Sequence, residues 1–258
     1  NYHYYTGTIL FCYNICMFID WRIKIMLKYE HIANNIEKFI ENGQYQAGDK
    51  LPSVEELKTN YAVSKSTIIK ALEVLEKEGT IFQARGSGIY VRNKRIDGYV
   101  NLLKTKGFSD NLQDHDISSL VVEFDEFIPD EAVRAHLKLN QNEKVIYIKR
   151  LRFLDNQLLC IETSYFNKRI VPTLDTQIAT QSIFNHIQEQ LDINIGFSDI
   201  YFYVDFLNKN ESQLLELNEG DPCMRHELIF HTNKGMPFDY SNIVYHFKNA
   251  KFFVPIQS

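Results

Sequence analysis

The sequence is short of the features that would mark a metal protein, a secreted protein or a membrane protein. Its four cysteines, Cys12, Cys16, Cys160 and Cys223, show neither the paired spacing of a zinc site nor that of a disulfide framework. Cys12 and Cys16 have three residues between them, and no cluster of His or Cys lies nearby to complete a tetrahedral set. The thiols read as small buried or incidental side chains, so no metal and no cofactor is expected. Such usage suits a reducing, cytoplasmic setting. No apolar run is long enough for a membrane helix: the stretch from Ile9 to Ile19 is broken by Tyr13 and Asn14 and reaches about half of the ~20 residues required. No basic segment precedes it and no small-residue cleavage site follows, which makes it a poor signal peptide. Residues 1–25 differ in character from the rest and are set aside as a non-native or disordered leader; no membrane partner is expected.

The chain also lacks a general excess of positive charge, its formal net charge being −5. The distribution is uneven. Residues 60–95 hold 7 Lys/Arg against 3 Asp/Glu, whereas residues 96–258 hold 15 against 23. A locally basic end on an acidic body fits a small anion-binding module joined to something else. Enzyme signatures are missing as well: there is no phosphate-binding loop, nucleophile elbow, zinc motif or paired catalytic signature. His186 and His226 read as surface or satisfied core residues rather than a catalytic pair, and no catalytic residue is assigned.

What the sequence does contain is a dense series of helix signals over residues 26–95. Apolar Ile32, Ala33, Ile36, Phe39 and Ile40 form a helical stripe that ends at Gly43. Ser53 caps a second short helix with Glu55 and Glu56 in its first turn and Val54, Leu57 and Tyr61 on its apolar side. A third helix follows Ser64, turns Ile68, Ala71, Leu72 and Leu75 inward, and stops at Gly79. The connection "YAVSKST" between the second and third helices contains neither Pro nor Gly. The segment "TIFQARGSGIYVR" alternates as two strands around the tip "RGSG". Three helices and a hairpin make a winged helix-turn-helix, in which the third helix offers its N-terminal end to a major groove. The candidate DNA contacts are therefore Ser53, Ser64, Lys65, Ser66, Thr67 and Lys70 at the helix starts, with Arg85, Gly86, Ser87 and Gly88 at the hairpin tip.

The stretches "YEHIANNI", "GDKLPS", "YAVSKST", "ALEVLEKEGTI" and "GSGIYV" together resemble the N-terminal domain of the GntR family of bacterial transcription regulators. The resemblance implies a homodimer bound to a short palindromic operator in double-stranded DNA. This sequence departs from the family at Glu55 and Ile69, where relatives commonly carry Arg, and at Lys65, where Arg usually follows the Val-Ser dipeptide. Arg reads guanine through a bidentate fork that Lys imitates poorly and Glu or Ile cannot.

Beyond a linker at 96–107, residues 108–258 alternate differently. Strand-like runs "LVVEFDEFI", "KVIYIKRLRFLD", "QLLCIETSYF", "GFSDIYFYVDF", "CMRHELIFHTN" and "FDYSNIVYHFK" are interleaved with helical patterns "PDEAVRAHLKL", "SIFNHIQEQL" and "NESQLLELN". Short turns at "LDNQ" and "TNKGMP" predict an antiparallel sheet with helices packed on it, so the whole chain is of the α+β class. In "KRLRF", Arg150 and Arg152 point to one face of a strand, where two guanidiniums repel unless an anion or a carboxylate lies between them. That partner is either an internal carboxylate such as Glu162 or a bound anion.

This half resembles the effector-binding domain of the HutC branch of GntR regulators, which is similar to chorismate lyase without its chemistry. The resemblance rests on Val145…Arg150-x-Arg152, Glu162-x-Ser164-Tyr165, Ser182-Ile183-Phe184, Gly235-x-Pro237-x-Asp239-x-Ser241 and Tyr245. In relatives that sense sugar phosphates the Arg pair grips the phosphate, which implies that role for Arg150 and Arg152. It further implies that Ser109 and Ser182 assist, that Glu162 and Asp239 hold ligand hydroxyls, and that Tyr245 lies near the pocket. Phe184 stands where those relatives place a Tyr. The expected function is a DNA-binding transcriptional repressor modulated by a small anionic effector, a sugar phosphate by this analogy. The alternatives are a lyase-like enzyme domain tethered to DNA and a DNA-binding scaffold whose second domain only dimerises.

Overall fold

The computed structural model describes residues 28–93, 99–101 and 116–256. These fall into two compact units, one holding 28–93 with 254–256 and the other holding 99–101 with 116–253.

In the first unit, helix α1 covers residues 28–41, α2 covers Val54–Tyr61 and α3 covers Lys65–Lys77. Strands β1 (Ile81–Ala84) and β2 (Gly88–Val91) form an antiparallel hairpin, and Lys50 bridges to Tyr90 beside it. Each helix starts where its cap dictates. Ser53 accepts from the Glu56 amide while Glu56 reaches back to the Ser53 amide, closing a capping box at 2.7 Å. Ser64 caps α3 through the Thr67 amide. The tight turn between α2 and α3 rests on Ala62, whose backbone is left-handed at φ +49° without being glycine. Such a conformation is costly for a residue with a Cβ, and it ends α2 at once so that α3 can diverge. The core is one cluster: Ile32, Ala33 and Ile36 of α1, Leu57 of α2, Ile68, Ala71, Leu72 and Leu75 of α3, and Ile81 and Ile89 of the hairpin. Phe39 departs from the expected stripe and lies exposed, because Ile36 and Ile40 already fill that side of α1.

The second unit is built on a six-stranded antiparallel sheet. Its strands are β4 (Ile117–Phe127), β5 (Val145–Leu154), β6 (Gln157–Asn167), β7 (Ile195–Phe206), β8 (Pro222–Thr232) and β9 (Pro237–His246), in the order β4-β5-β6-β9-β8-β7. All six strand-like runs of the sequence are strands. A two-residue parallel ribbon of β3 (Val100–Asn101) and β10 (Phe252–Phe253) accompanies it and was not legible in the sequence, since two residues carry no period. Helices α4 (Glu131–Leu137), α5 (Thr176–Thr180), α6 (Ile183–Asn185) and α7 (Lys209–Leu214) complete the unit, and a π-helical turn at His186–Gln190 continues α6. The β5–β6 turn uses Asp155 and Asn156, both at positive φ, the residue types that tolerate it.

Candidate functional site

The residues singled out from the sequence fall into two groups, one in each unit. In the first, the starts of α2 and α3 place Ser53, Ser64, Lys65 and Ser66 at the exposed surface, and Lys70 is exposed one turn further along α3. Ser64 accepts or donates at 2.9 Å to Ser66 and at 2.7 Å to Thr67, so its hydroxyl organises the helix start. Thr67 differs from the expectation of a DNA contact. It is buried, and its side chain serves the cap instead of facing outward, because it falls on the same side of α3 as Ile68 and Ala71. At the hairpin tip Arg85, Gly86 and Ser87 are exposed, with Gly86 at φ +77° and Gly88 at +136°. Ser87 and Tyr90 share a hydroxyl hydrogen bond of 2.7 Å that ties the tip to β2. Glu55, a departure from the family pattern, meets two lysines: Lys65 at 3.1 Å and Lys58 at 3.2 Å. Ile69 is exposed on α3.

The second group lies on one face of the large sheet. Across the strands the residues Val121, Arg150, Glu162, Ile243, His226 and Phe202 stand in register. Arg150 and Arg152 are only 3% and 4% exposed, and Glu162 is 7% exposed. Arg150 donates from Nη2 to Glu162 Oε2 at 2.7 Å, and Arg152 donates from Nη1 to the same oxygen at 3.3 Å. Arg150 Nη1 also donates to the carbonyl of Ala179 at 2.9 Å, at the end of α5. Burial raises the Glu162 pKa, but the two guanidiniums outweigh it and hold the carboxyl below its usual range. Burial likewise lowers the pKa of Arg152. The internal carboxylate considered from the sequence is therefore in place between the two arginines.

Asp239, fully buried, belongs to the same face. Its Oδ1 accepts from the Ser241 hydroxyl at 2.7 Å, and Ser241 also meets Ser164 at 2.7 Å. Its Oδ2 has no hydrogen-bond partner among the described residues. Burial pushes this carboxyl up to about 8, so it is mostly protonated at neutral pH. Tyr245 is buried beside the Arg152 row, opposite Cys160, and packs edge-on to Phe252 at 4.7 Å. Ser182 caps α6 through the Asn185 amide, directly after Gln181, whose carbonyl is 3.4 Å from Arg150 Nη1. Phe184 is buried against Phe230 and Phe238 in an apolar cluster, where a hydroxyl would find no polar neighbour among those rings. Ser109 lies outside the described residues.

Ser164, Ser241 and His226 were not singled out as site residues. Alternation could have found the serines, because they stand two residues from Glu162 and Asp239 and hence on the same face. His226, read from the sequence as a surface or satisfied core residue, is a core residue. It is buried among Phe202, Tyr245 and Phe252, and its Nε2 has no hydrogen-bond partner among the described residues. Burial pushes it down to about 4, so it is neutral near pH 7. His186, on the π-helical turn, contacts the Thr173 carbonyl at 3.0 Å.

A capped helix pair with a glycine-tipped wing, followed by a sheet that buries an arginine pair, is the architecture of a transcription regulator with a DNA-binding head. Known proteins agree. Residues 28–91 match the bacterial regulatory proteins of the gntR family, and residues 112–251 match the UTRA domain. The chain belongs to the GntR family, in its UTRA-bearing form. The HTH-type transcriptional regulator YydK of Bacillus subtilis is 45% identical over 233 residues, which cover 90% of this chain and 99% of YydK. The crystal structure of YydK matches with a TM-score of 0.76 at 43% identity over the same shares. GmuR of Bacillus subtilis, also an HTH-type transcriptional regulator, is 30% identical across 84% of this chain and 92% of its own. The mannosyl-D-glycerate transport/metabolism system repressor MngR of Escherichia coli is 25% identical across 87% and 93%. This protein is thus a DNA-binding transcription regulator of the GntR type. Among the described residues no helix is long and apolar enough to cross a membrane.

Proposed function

We propose that this protein is a homodimeric repressor whose operator affinity is set by a small anion bound on the Arg150–Arg152 face of the second unit. The observation that carries this reading is a buried donor on that face. Arg150 Nε has no hydrogen-bond partner among the described residues, and Asp239 is mostly protonated and adds little negative charge at neutral pH. An unsatisfied buried donor is costly, so an anion that brings acceptor oxygens to this face would be favoured. Asp239 Oδ2, Ser164, Ser241 and the neutral His226 supply polar atoms on the same face for hydroxyls. These features suit a sugar phosphate or a sugar carboxylate. MngR, by its name, represses a system that transports and metabolises mannosyl-D-glycerate, a sugar linked to a carboxylic acid and so of the same chemical class.

The dimer is supported by β7, an edge strand that exposes Tyr201, Phe202, Val204 and Phe206. Exposed apolar edges in soluble folds are generally covered by a partner. A second reading is favoured by one contact: Glu162 already bridges both arginines, as it would in a purely structural ion cluster belonging to a scaffold. Titration calorimetry against sugar phosphates, sugar carboxylates and the matching neutral sugars separates the two. Binding of an anionic sugar, abolished when its charged group is removed, supports a sensor. Silence across the panel supports the scaffold, and turnover of a ligand would make the domain an enzyme.

A further inference from the structure

The acidic residue at the start of α2 has no obvious place on a surface that approaches phosphates. Glu55 is 60% exposed at its side chain, and Lys65, which opens α3, is equally exposed. Glu55 Oε1 lies 3.1 Å from Lys65 Nζ, and Oε2 lies 3.2 Å from Lys58 Nζ. Both carboxylate oxygens are thus oriented, and the hydrogen bond from Lys65, then that from Lys58, holds the carboxyl below its usual range. An exposed ion pair of this kind adds little to stability. Its position is more informative. In a helix-turn-helix the first residues of the third helix meet base edges, so a carboxylate in contact with Lys65 reaches the same groove.

We propose that Glu55 is a specificity-determining residue of the DNA interface, and that Glu55 and Lys65 together read one C·G base pair in each half-site. The chemistry is complementary. In the major groove cytosine offers a donor, its N4 amine, and the guanine paired with it offers acceptors at O6 and N7. The N4 and O6 atoms of one pair are hydrogen-bonded to each other, hence about 2.9 Å apart. The Glu55–Lys65 pair presents an acceptor beside a donor at nearly that spacing. Adenine fits less well, because its N7 lone pair lies beside the N6 amine and repels a carboxylate that has no proton to offer. Thymine and guanine present only acceptors to Glu55. The carboxylate also repels phosphate, so it penalises every sequence in which it gains no amine. Specificity by such a penalty is a general device.

The test selects duplexes from a randomised pool with the full-length protein, then measures affinities of wild type, Glu55→Ala and Glu55→Gln for the winning operator and for a version with the assigned C·G pairs changed to T·A. Neither substitution touches the Ser53–Glu56 capping box, and thermal melting of each variant checks that the fold is kept. Wild type should prefer C·G by about 10-fold. Glu55→Ala should retain less than about a quarter of that preference while binding unrelated DNA more tightly, and Glu55→Gln should shift the preference toward adenine, which an amide can bond twice. Equal discrimination by wild type and Glu55→Ala overturns the proposal, even if overall affinity rises, because Glu55 would then only screen Lys65. A wild-type selection with no C·G pair at symmetry-related positions also overturns it. The effector plays no part in this experiment, so its outcome is independent of the ligand assignment.

Discussion

At Asp239 the carboxyl meets a serine hydroxyl on one oxygen and no partner among the described residues on the other, inside a face it shares with Arg150 and Glu162. An acid whose pKa rises on folding holds its proton in the native state after the unfolded chain has released it. The stabilising contribution is therefore complete below about 3.8, the usual value, and is lost as the pH climbs through about 8. Asp239→Asn should remove this dependence: its urea midpoint should fall less than that of wild type between pH 5 and pH 8, and parallel curves would show that Asp239 is not the group responsible. Lys65 and Lys70 belong to the same scale. Each is a flexible point charge exposed near the start of α3, with Lys65 held by Glu55 in the absence of DNA. Replacing Lys70 with Ala should weaken binding to all DNA sequences and reduce the slope of log affinity against log salt by ~1 for the phosphate no longer neutralised, whereas Lys65→Ala should weaken the C·G-bearing operator more than unrelated DNA. An unchanged slope in the Lys70 variant would show that Lys70 does not meet the DNA backbone.

The elements show where special backbone was needed and how it was obtained. The wing tip uses glycine at both positive-φ positions, and a Cβ at Gly86 would meet nothing within 4 Å while one at Gly88 would meet only the flexible end of Lys50. A Val at both should therefore cost conformational strain in the loop, with the core of the unit intact. Operator affinity of the Gly86→Val, Gly88→Val double variant should drop several-fold while its melting curve stays cooperative; wild-type affinity in a folded double variant would show that the tip neither approaches DNA nor needs its native shape. The α2–α3 turn solves the same problem with Ala62, and this is why it carried no turn signal in the sequence. Strand alternation placed the arginine pair on one face. Register then decided that Glu162, and not another carboxylate, stands directly across from Arg150.

For the molecule as a whole, a regulator needs ligand and operator to alter each other's affinity. If the Arg150–Arg152 face binds the effector, Arg152→Ala should leave operator binding intact and abolish the response to ligand. The variant should still fold, because Glu162 keeps its shorter contact with Arg150 at 2.7 Å. In wild type, operator should change ligand affinity by the same factor by which ligand changes operator affinity, typically 5–150-fold, or ~1–3 kcal/mol. Titrating an anionic sugar into the protein with and without operator measures this directly. Equal affinities would leave the binding face in place but deny it a regulatory role.

Periodicity and capping residues were enough to locate three helices, a hairpin and six strands, because those signals are local: a side chain's face follows from its spacing along one element. The wing glycines, the Ser53 and Ser64 caps and the Arg150–Arg152 alignment belong to this class. The pairing of Glu55 with Lys65 and the meeting of Asp239 with Ser241 and Ser164 depend on how elements cross or on which residues face each other between strands. So does the protonation of Asp239, since the cost of its charge comes from the layers packed over it and not from its sequence neighbours. Local spacing determined the faces; burial and cross-strand register, which are properties of the folded chain alone, determined the charges those faces carry.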